Sequence, residues 1–358
     1  MKKLALALAA TAALVLSIGS AAEAADKTKV CFVYVGTRTD GGWTQAHENG
    51  RLQVEKEFAD KVETSYLESV PEGPDAERAI ERMARSGCSL IFTTSFGYMD
   101  ATIAVAKKFP KVKFEHATGF KAADNVATYN SRFYEGRYIS GIIAGKLSKT
   151  GTAGYIASFP IPEVVMGINA FETGAKSVNP NFKMKVIWVN TWFDPGKEAD
   201  AAKALIDQGV DILTQHTDTT APMQVAEQRG VKAFGQASDM IKAGPNVQLT
   251  AITDTWGNYY VKRVKALLDG TWKSEQNWDG LKDGILTMAP YTNMPDDVKK
   301  LAEETEAKIK SGELHPFTGP INKQDGTSWL KAGEKADDGT LLGMNFYVEG
   351  VDDKLPAQ

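Results

Sequence analysis

The hydrophobic positions of this chain follow two spacings, those of short buried strands and those of amphipathic helices. The stretch at 185–218 shows both. Its residues 186–189 form a β-branched run that is typical of a buried strand. Asp194 then stands at a helix N-cap position and Pro195 at the first helical position, and Gly209 follows an apolar stripe of helical spacing. A second apolar run comes next, so the stretch predicts a strand, a helix and a strand.

Strand and helix patterns alternate in this way along most of the chain. Strand-like runs lie at 30–35, 62–67, 90–94, 112–116, 126–129, 154–157, 186–189, 210–213, 231–234 and 247–253. Helical stretches lie at 43–58, 75–85, 99–108, 135–146, 163–178, 221–228, 259–268 and 295–310. Such alternation with short connections predicts parallel sheets that are covered by helices on both faces. Because the array restarts near residue 130, we expect an α/β protein of two similarly folded lobes.

The last third of the chain predicts a return to the first lobe. If the strand at 247–253 ends the second array, the helix that follows it packs on the first lobe. We therefore assign residues 25–129 and 254–280 to an amino-terminal lobe, and residues 130–253 and 281–358 to a carboxy-terminal lobe. A chain that passes between two lobes more than once forms a hinge.

The first 24 residues have the features of a cleaved secretory signal. Lys2 and Lys3 precede an apolar run at 4–18, and residues 22–24 fit a small-x-small cleavage site. The run is short for a spanning helix, and no later apolar stretch reaches about 18 residues. The cleavage region contains no cysteine. We therefore expect a periplasmic protein without a lipid anchor.

Composition and charge narrow the function. Of the 358 residues, 43% are hydrophobic and 24% are charged, which is typical of a globular protein. The net charge is −4, and acidic and basic residues are interspersed along the chain. This balance argues against nucleic acid as a partner. Cys31 and Cys88 begin the first and third predicted strands, which are neighbours in a doubly wound sheet. Both a disulfide and a pair of buried thiols fit this placement.

The sequence contains none of the common catalytic motifs. It has no G-x-S-x-G, G-x-G-x-x-G or Walker A pattern, and its four histidines lack metal-ligand spacing. His216 and Asp218 at a strand end are compatible with an acid–base pair, but a lining role in a binding cleft is the better interpretation. We therefore expect a binding protein that uses no cofactor and no metal.

Aromatic and polar side chains recur where the predicted strands end. These ends lie at 36–43, 94–98, 115–118, 159–162, 190–194, 215–218 and 236–239. Open α/β sheets bind ligands at the carboxyl ends of their strands, and aromatic faces with a few polar groups suit a flat, polar-edged heterocycle. The candidate ligand-binding residues at these ends are Trp43, Phe96, Tyr98, Thr118, Trp192, Asp218 and Asp239.

Four segments of the chain resemble the basic membrane protein family, at 40–46, 109–114, 159–163 and 190–198. The resemblance covers nearly the whole mature chain. The family consists of substrate-binding proteins of ABC transporters and includes purine nucleoside receptors. Membership implies a type I periplasmic binding fold, in which two Rossmann-like lobes hold a ligand between them. It also implies an ABC permease as partner, and we expect the protein to be a monomer.

The resemblance also implies roles for single residues. Trp43 and Trp192 match family aromatics and would enclose a purine ring, with Thr44 beside the first. Thr118 stands where many members have Asp, and residues 217–220 replace a Gly-rich turn.

The sugar contacts of the family are altered in this chain. Asp254 stands where nucleoside-binding members carry a Lys that contacts ribose, with Trp256 nearby, while Asp239 keeps an acid near the cleft. The resemblance therefore implies a purine base such as adenine, with a purine nucleoside and other flat ligands left open.

Two other functions fit the same architecture. One is a secreted nucleoside-processing enzyme, which would carry an Asp-rich metal site after the first strand, where this chain has only Asp40. The other is a ligand-sensing subunit, which would use the same cleft as a transport protein.

Overall fold

The computed structural model describes residues 27–356, so the predicted signal at 1–24 lies outside the described residues. The strands are β1 Thr28–Val33, β2 Val62–Leu67, β3 Leu90–Thr93, β4 Lys113–Ala117, β5 Val126–Ser131, β6 Thr152–Ala157, β7 Lys183–Trp188, β8 Ile212–His216, β9 Lys232–Ala237, β10 Gln248–Asp254, β11 Gln276–Asp279, β12 Leu286–Met288, β13 Ile321–Asn322 and β14 Ser328–Leu330. The helices are α1 Trp43–Glu57, α2 Pro74–Arg85, α3 Met99–Lys108, α4 Phe133–Leu147, α5 Pro162–Val178, α6 Pro195–Asp207, α7 Ala221–Arg229, α8 Trp256–Leu268, α9 Asp296–Ser311 and α10 Asp338–Leu342.

Twelve of these strands form two six-stranded sheets with the same plan, and β13 and β14 pair with each other. The first sheet has the order β11-β5-β4-β3-β1-β2 and is parallel throughout. The second has the order β12-β10-β9-β8-β6-β7, and only its edge strand β12 runs antiparallel. Each sheet therefore repeats one doubly wound array and receives one further strand from the segment 276–288. The predicted α/β fold of two parallel-sheet lobes is confirmed.

The chain passes between the sheets at three places, which are Arg132, Thr255 and the segment 280–285. Helix α4 packs along α5 in the second lobe, whereas α8 packs on α1 in the first. Backbone hydrogen bonds link these connections. The Arg132 N–H donates to the Asp279 carbonyl at 2.8 Å, and the Thr255 N–H donates to the Ile285 carbonyl at 2.9 Å. Three adjacent crossings of this kind form a hinge.

Strand and helix ends follow local chemistry. Asp194 caps α6 as predicted, because its carboxylate accepts from the Lys197 N–H at 3.0 Å, and Pro195 occupies the first turn. The strands predicted at 210–213 and 231–234 end later, as β8 and β9. The residues added to β8 are Thr214, Gln215 and His216, and those added to β9 include Gln236; all four are polar and buried. The hydrophobic pattern alone therefore placed these ends too early.

Buried contacts hold the first lobe together near its disulfide. Strand β1 pairs with β3, so that Val30 lies opposite Leu90, as the doubly wound order predicts. Cys31 and Cys88 form a disulfide with a Cα–Cα distance of 6.0 Å, which decides between the two alternatives left by the sequence.

Between residues 27 and 356, no helix has both the length and the apolar surface needed to cross a membrane.

Candidate functional site

A cavity lies between the two lobes, at the carboxyl ends of both sheets. It contains about 330 Å³ of space not filled by protein atoms, part of which is open to solvent. The first lobe lines it with Val35, Trp43, Ser95, Phe96 and Thr118. The second lobe lines it with Glu163, Trp192, His216, Asp218 and Gln236.

The start of α1 is built around the buried carboxylate of Asp40. Its Oδ1 accepts from the Gly42 N–H at 2.9 Å and the Gln45 N–H at 3.0 Å, and its Oδ2 accepts from the Thr44 N–H at 2.8 Å. These bonds satisfy backbone donors that a helix leaves free at its first turn. They fix the position of Trp43, the first residue of the helix, at the cavity wall.

The indole of Trp43 is anchored from behind. Its Nε1–H donates to the Thr94 carbonyl at 2.7 Å. Its ring meets His47 edge-on at 4.4 Å between centroids and Trp256 edge-on at 5.6 Å, while His47 stacks on Trp256 at 4.9 Å. Burial lowers the pKa of His47 well below its usual value, so this ring is neutral and packs as an aromatic. One indole face of Trp43 is thereby held rigidly towards the cavity.

Trp192 enters the cavity from the loop that follows β7 in the second lobe. Its Nε1–H donates to Oε1 of Glu72 in the first lobe at 3.0 Å. Its ring lies 5.2 Å from the Phe159 ring and 6.3 Å from that of His216, and its carbonyl accepts from the Asp218 N–H at 2.9 Å. The two tryptophans thus line the same cavity from opposite lobes.

Two titratable side chains face the cavity from β8 and the turn after it. Asp218 is 3% exposed, and its Oδ2 has no hydrogen-bond partner among the described residues. Burial, followed by the nearby carboxylates of Asp40 and Glu198, raises the pKa of Asp218 well above its usual value. Burial lowers the pKa of His216, so its 3.4 Å contact with Glu163 is made by a neutral imidazole. Both groups can therefore bind a ligand without a net ionic charge.

The floor of the cavity is a bonded polar layer. The buried guanidinium of Arg137 donates to Oε1 of Gln236 and, at 3.1 Å, to Oγ1 of Thr214. Because its carbonyl oxygen faces Arg137, the side chain of Gln236 is oriented with its amide N–H groups on the other side. Gln236 can thus donate hydrogen bonds towards the cavity.

Three residues beside the cavity have left-handed backbone angles although none is glycine. They are Thr118 with φ 63°, Asn190 with φ 51° and Ala237 with φ 61°. Each follows or ends a strand at the cleft, and such angles cost about 1–3 kcal/mol in a non-glycine residue. Strain of this kind concentrates at binding sites, where the surrounding fold maintains it.

The structure brings five of the predicted binding residues to the cavity wall and places the others elsewhere. Trp43, Phe96, Thr118, Trp192 and Asp218 line the cavity. Thr44, Tyr98, Asp239 and Trp256 are not part of its lining.

Thr44 and Tyr98 are fully buried in the first lobe. Thr44 accepts through Oγ1 from the Gly36 N–H at 3.2 Å, so it shapes the turn before Trp43. The hydroxyl of Tyr98 donates to the Val70 carbonyl at 2.5 Å inside the core.

Trp256 and Asp239 also lie away from the cavity wall. Trp256 is fully buried behind Trp43. Asp239 is exposed, and its carboxylate accepts from the Gln248 side chain at 2.7 Å. Asp254 is buried, and neither of its carboxylate oxygens has a partner within the described chain.

Four lining residues were not among the candidates drawn from the sequence, namely Val35, Ser95, Glu163 and Gln236. His216, for which the sequence favours a lining role in a binding cleft, also lies at the cavity wall. Each lies in or directly beside a polar strand end that the sequence singles out, so the segments are visible without the structure. Which side chain of a segment faces the cavity depends on the strand pleat and the following turn.

Comparisons with known proteins agree with this geometry. A family model described as ABC transporter substrate-binding protein, PnrA-like, matches residues 27–317. A protein of Brucella abortus (strain 2308) named as purine-binding is 70% identical over 95% of this chain and 97% of its own length. A Haloferax volcanii protein named as an ABC transporter glucose-binding protein is 36% identical over 93% of this chain and 82% of its own length. An ABC transporter solute-binding protein from Aeropyrum pernix K1 superposes with a TM-score of 0.71 at 20% identity, over 88% of this chain and 95% of that chain.

Proposed function

Because the chain belongs to the PnrA-like Bmp family of ABC transporter substrate-binding proteins, we propose that it binds a purine base between its lobes for delivery to an ABC permease. The family membership confirms the resemblance drawn from the sequence, and the solved structures confirm the type I periplasmic binding fold. The purine ligand is supported by the name of the 70% identical relative.

The observation that carries the proposal is the pair of tryptophans at one cavity. Trp43 comes from the first lobe and Trp192 from the second, and both line the space between the lobes. Stacking of a nucleobase on an aromatic side chain contributes about 1–3 kcal/mol per base. A flat ligand that contacts both indoles gains most when the lobes are closed, which is how a binding protein signals occupancy to a transporter.

The polar groups of the cavity fit the edge of a purine. Asp218 offers an unpaired carboxyl oxygen, His216 an unpaired Nδ1 and Gln236 amide donors. A purine edge presents alternating hydrogen-bond donors and acceptors, which can satisfy such a set. An exocyclic amine or a ring N–H would donate to Asp218, so adenine is the ligand we favour.

A free base is favoured over a nucleoside by the residue at one position. The chain carries Asp254 where the family resemblance implies a ribose-contacting Lys, and this carboxylate is buried outside the cavity lining. The ribose contacts of nucleoside receptors therefore lack a counterpart.

Isothermal titration with adenine, guanine, hypoxanthine, adenosine and glucose tests the proposal. We expect adenine to bind most tightly, Trp192→Leu to weaken it by at least about tenfold, and Asp218→Ala to weaken adenine more than unsubstituted purine. Asp239→Ala is the matched control, because this exposed acid lies outside the cavity. Glucose binding without a response to any purine would overturn the ligand assignment, and the Haloferax relative makes that comparison necessary.

We further propose that the protein is a monomer that acts in the periplasm without a lipid anchor and without catalysis. The family of binding proteins supports the absence of catalysis. Incubation with purine nucleosides, followed by chromatography, should return the nucleosides unchanged. Release of free base would instead support the nucleoside-processing alternative.

A further inference from the structure

We propose that Glu72 is a positioning residue for the ligand site, because its carboxylate holds the indole of Trp192 across the cleft when the lobes close. This inference rests on the proposed function, since it concerns how the same cleft closes on its ligand. Glu72 lies in the loop between β2 and α2 of the first lobe, and Trp192 lies after β7 of the second. Their hydrogen bond therefore joins two bodies that the hinge allows to separate.

The carboxylate of Glu72 is held in place by its own lobe. Its Oε1 accepts from the Ser95 hydroxyl at 2.5 Å and from the Gly97 N–H at 3.1 Å. A Cβ on Gly97 would lie 2.2 Å from the carboxylate carbon of Glu72, so only glycine at 97 leaves room for the carboxylate in this position. Ser95 and Gly97 belong to the first lobe, so these bonds do not depend on where the second lobe lies. The acceptor for Trp192 is thus preorganised.

The indole of Trp192 is used in two ways at once. Its ring lines the cavity, and its one N–H donor binds Glu72 at 3.0 Å. A second opening, lined by Glu72, Phe96, Phe159 and Trp192, adjoins the cavity at this contact. The bond therefore forms at the mouth of the cleft, where it fixes the tilt of the ring over a ligand and the closure of the lobes together.

This arrangement makes Glu72 act on ligand release. In an open protein the Trp192 N–H would face water, and the bond to Glu72 would form only as the lobes close. Loss of the acceptor should therefore raise the dissociation rate more than it lowers the association rate. Loss of a hydrogen bond to a charged acceptor lowers the affinity by about tenfold or more.

A double-mutant cycle on the full chain tests the proposal, with adenine or whichever ligand of the titration panel binds best. We expect Glu72→Ala to weaken binding about tenfold, mainly through dissociation in stopped-flow fluorescence. Glu72→Gln keeps an oxygen acceptor for the same donors, so it should largely restore binding. Trp192→Phe keeps a ring without the N–H, and adding Glu72→Ala to it should cause little further loss.

Asp75→Ala is the matched control, because it removes an exposed acid of the same lobe whose partner is Arg78 rather than the second lobe. Losses that simply add in the double variant, or a Glu72→Ala protein that binds like Asp75→Ala, would overturn the proposal. Equal melting temperatures would show that Glu72→Ala leaves the fold intact.

The two proposals can fail separately. If the wild-type protein binds none of the panel, the proposed function fails, and small-angle scattering of the ligand-free protein then tests Glu72. We expect Glu72→Ala to be more open than wild type and Glu72→Gln to resemble wild type. Identical scattering from all three would overturn the role of Glu72.

Discussion

Glu172 is a buried carboxyl group on α5, far along the second lobe from the cleft. Within the described residues neither of its oxygens has a hydrogen-bond partner. A Cβ on Gly350 would lie 1.9 Å from Oε1, so the carboxyl is pressed against the carboxy-terminal segment. Burial raises its pKa from 4.5 to about 8, more than the nearby Lys176 and Lys183 lower it. The folded protein therefore favours the protonated form at neutral pH.

The raised pKa of Glu172 should make stability depend on pH. The folded state binds this proton more tightly than the unfolded state, so the stabilisation is complete below pH 4.5 and is lost as the pH rises to about 8. We expect Glu172→Gln to remove this dependence and to be more stable than wild type at pH 9, by on the order of a few kcal/mol. Urea unfolding at pH 5, 7 and 9 measures the free energy of unfolding. Glu313→Gln is the control, because this exposed acid is not among the charges that act on Glu172. Parallel curves for wild type and Glu172→Gln would contradict the prediction.

The sequence predicts a cavity-lining residue correctly where that residue comes directly after a predicted strand or its first turn. Trp43, Thr118 and Trp192 reach the cavity wall because each comes directly after a strand or its first turn. Tyr98 does not, since the short 3-10 turn at Phe96–Tyr98 rotates it into the core. Trp256 is the first residue of α8 and packs towards α1 of the same lobe. This position depends on the second crossing of the chain, at Thr255, which has no local signal in the sequence.

At the scale of elements, the disulfide links two neighbouring strands of the first sheet. Cys31 lies in β1 and Cys88 just before β3, 57 residues apart in sequence. In the chain-entropy description, the disulfide lowers the entropy of the unfolded chain. For a loop of this length, that effect stabilises the folded state by about 4 kcal/mol. We expect Cys31→Ala/Cys88→Ala to lose about 2–4 kcal/mol in urea unfolding.

The same variant should keep its ligand affinity, because the disulfide lies away from the carboxyl ends that form the cleft. Wild-type protein unfolded with and without dithiothreitol is the control, and reduction should reproduce the loss. A reduced protein as stable as the oxidised one would contradict the expected role of the bond.

The alternation of strands and helices predicts the order of elements well, and their polar ends poorly. Helix α3 begins and ends where the sequence pattern places it, whereas β8 and β9 extend into the cleft through Gln215, His216 and Gln236. His216 and Gln236 line the cavity, and Gln215 bonds the turn at Thr217–Thr219. Because all three are polar, the hydrophobic pattern does not reveal them as strand residues. Pairing of β11 and β12 with distant strands also leaves no local pattern to follow.

At the scale of the whole molecule, the two lobes are in contact at Gly42. A Cβ at this position would lie 2.3 Å from the Asp218 carbonyl oxygen of the second lobe. The Gly42 carbonyl also accepts from the Ser238 hydroxyl at 3.0 Å. The absence of a side chain at Gly42 is what lets the two backbones approach so closely.

A methyl group at this point should therefore act as a wedge. We expect Gly42→Ala to weaken ligand binding by about tenfold or more, since overpacking of a tight contact costs about 1–3 kcal/mol. Small-angle scattering of the liganded variant should show a larger radius of gyration than liganded wild type. Ser238→Ala is the control, because it removes the bond across the lobes without adding bulk. Normal closure and affinity in Gly42→Ala would show that the contact is not limiting.

The three crossings also determine how much of the chain must be present before the first sheet can be completed. The first sheet is complete only with β11, Gln276–Asp279, although its other strands end at Ser131. A chain that enters its folding compartment from the amino end must therefore deliver more than twice the length of that early segment before the edge of the sheet can close. Until then β5 keeps an unpaired strand edge, which is a surface for chaperones to bind. The topology that makes the hinge thus also postpones completion of the fold until most of the polypeptide has arrived.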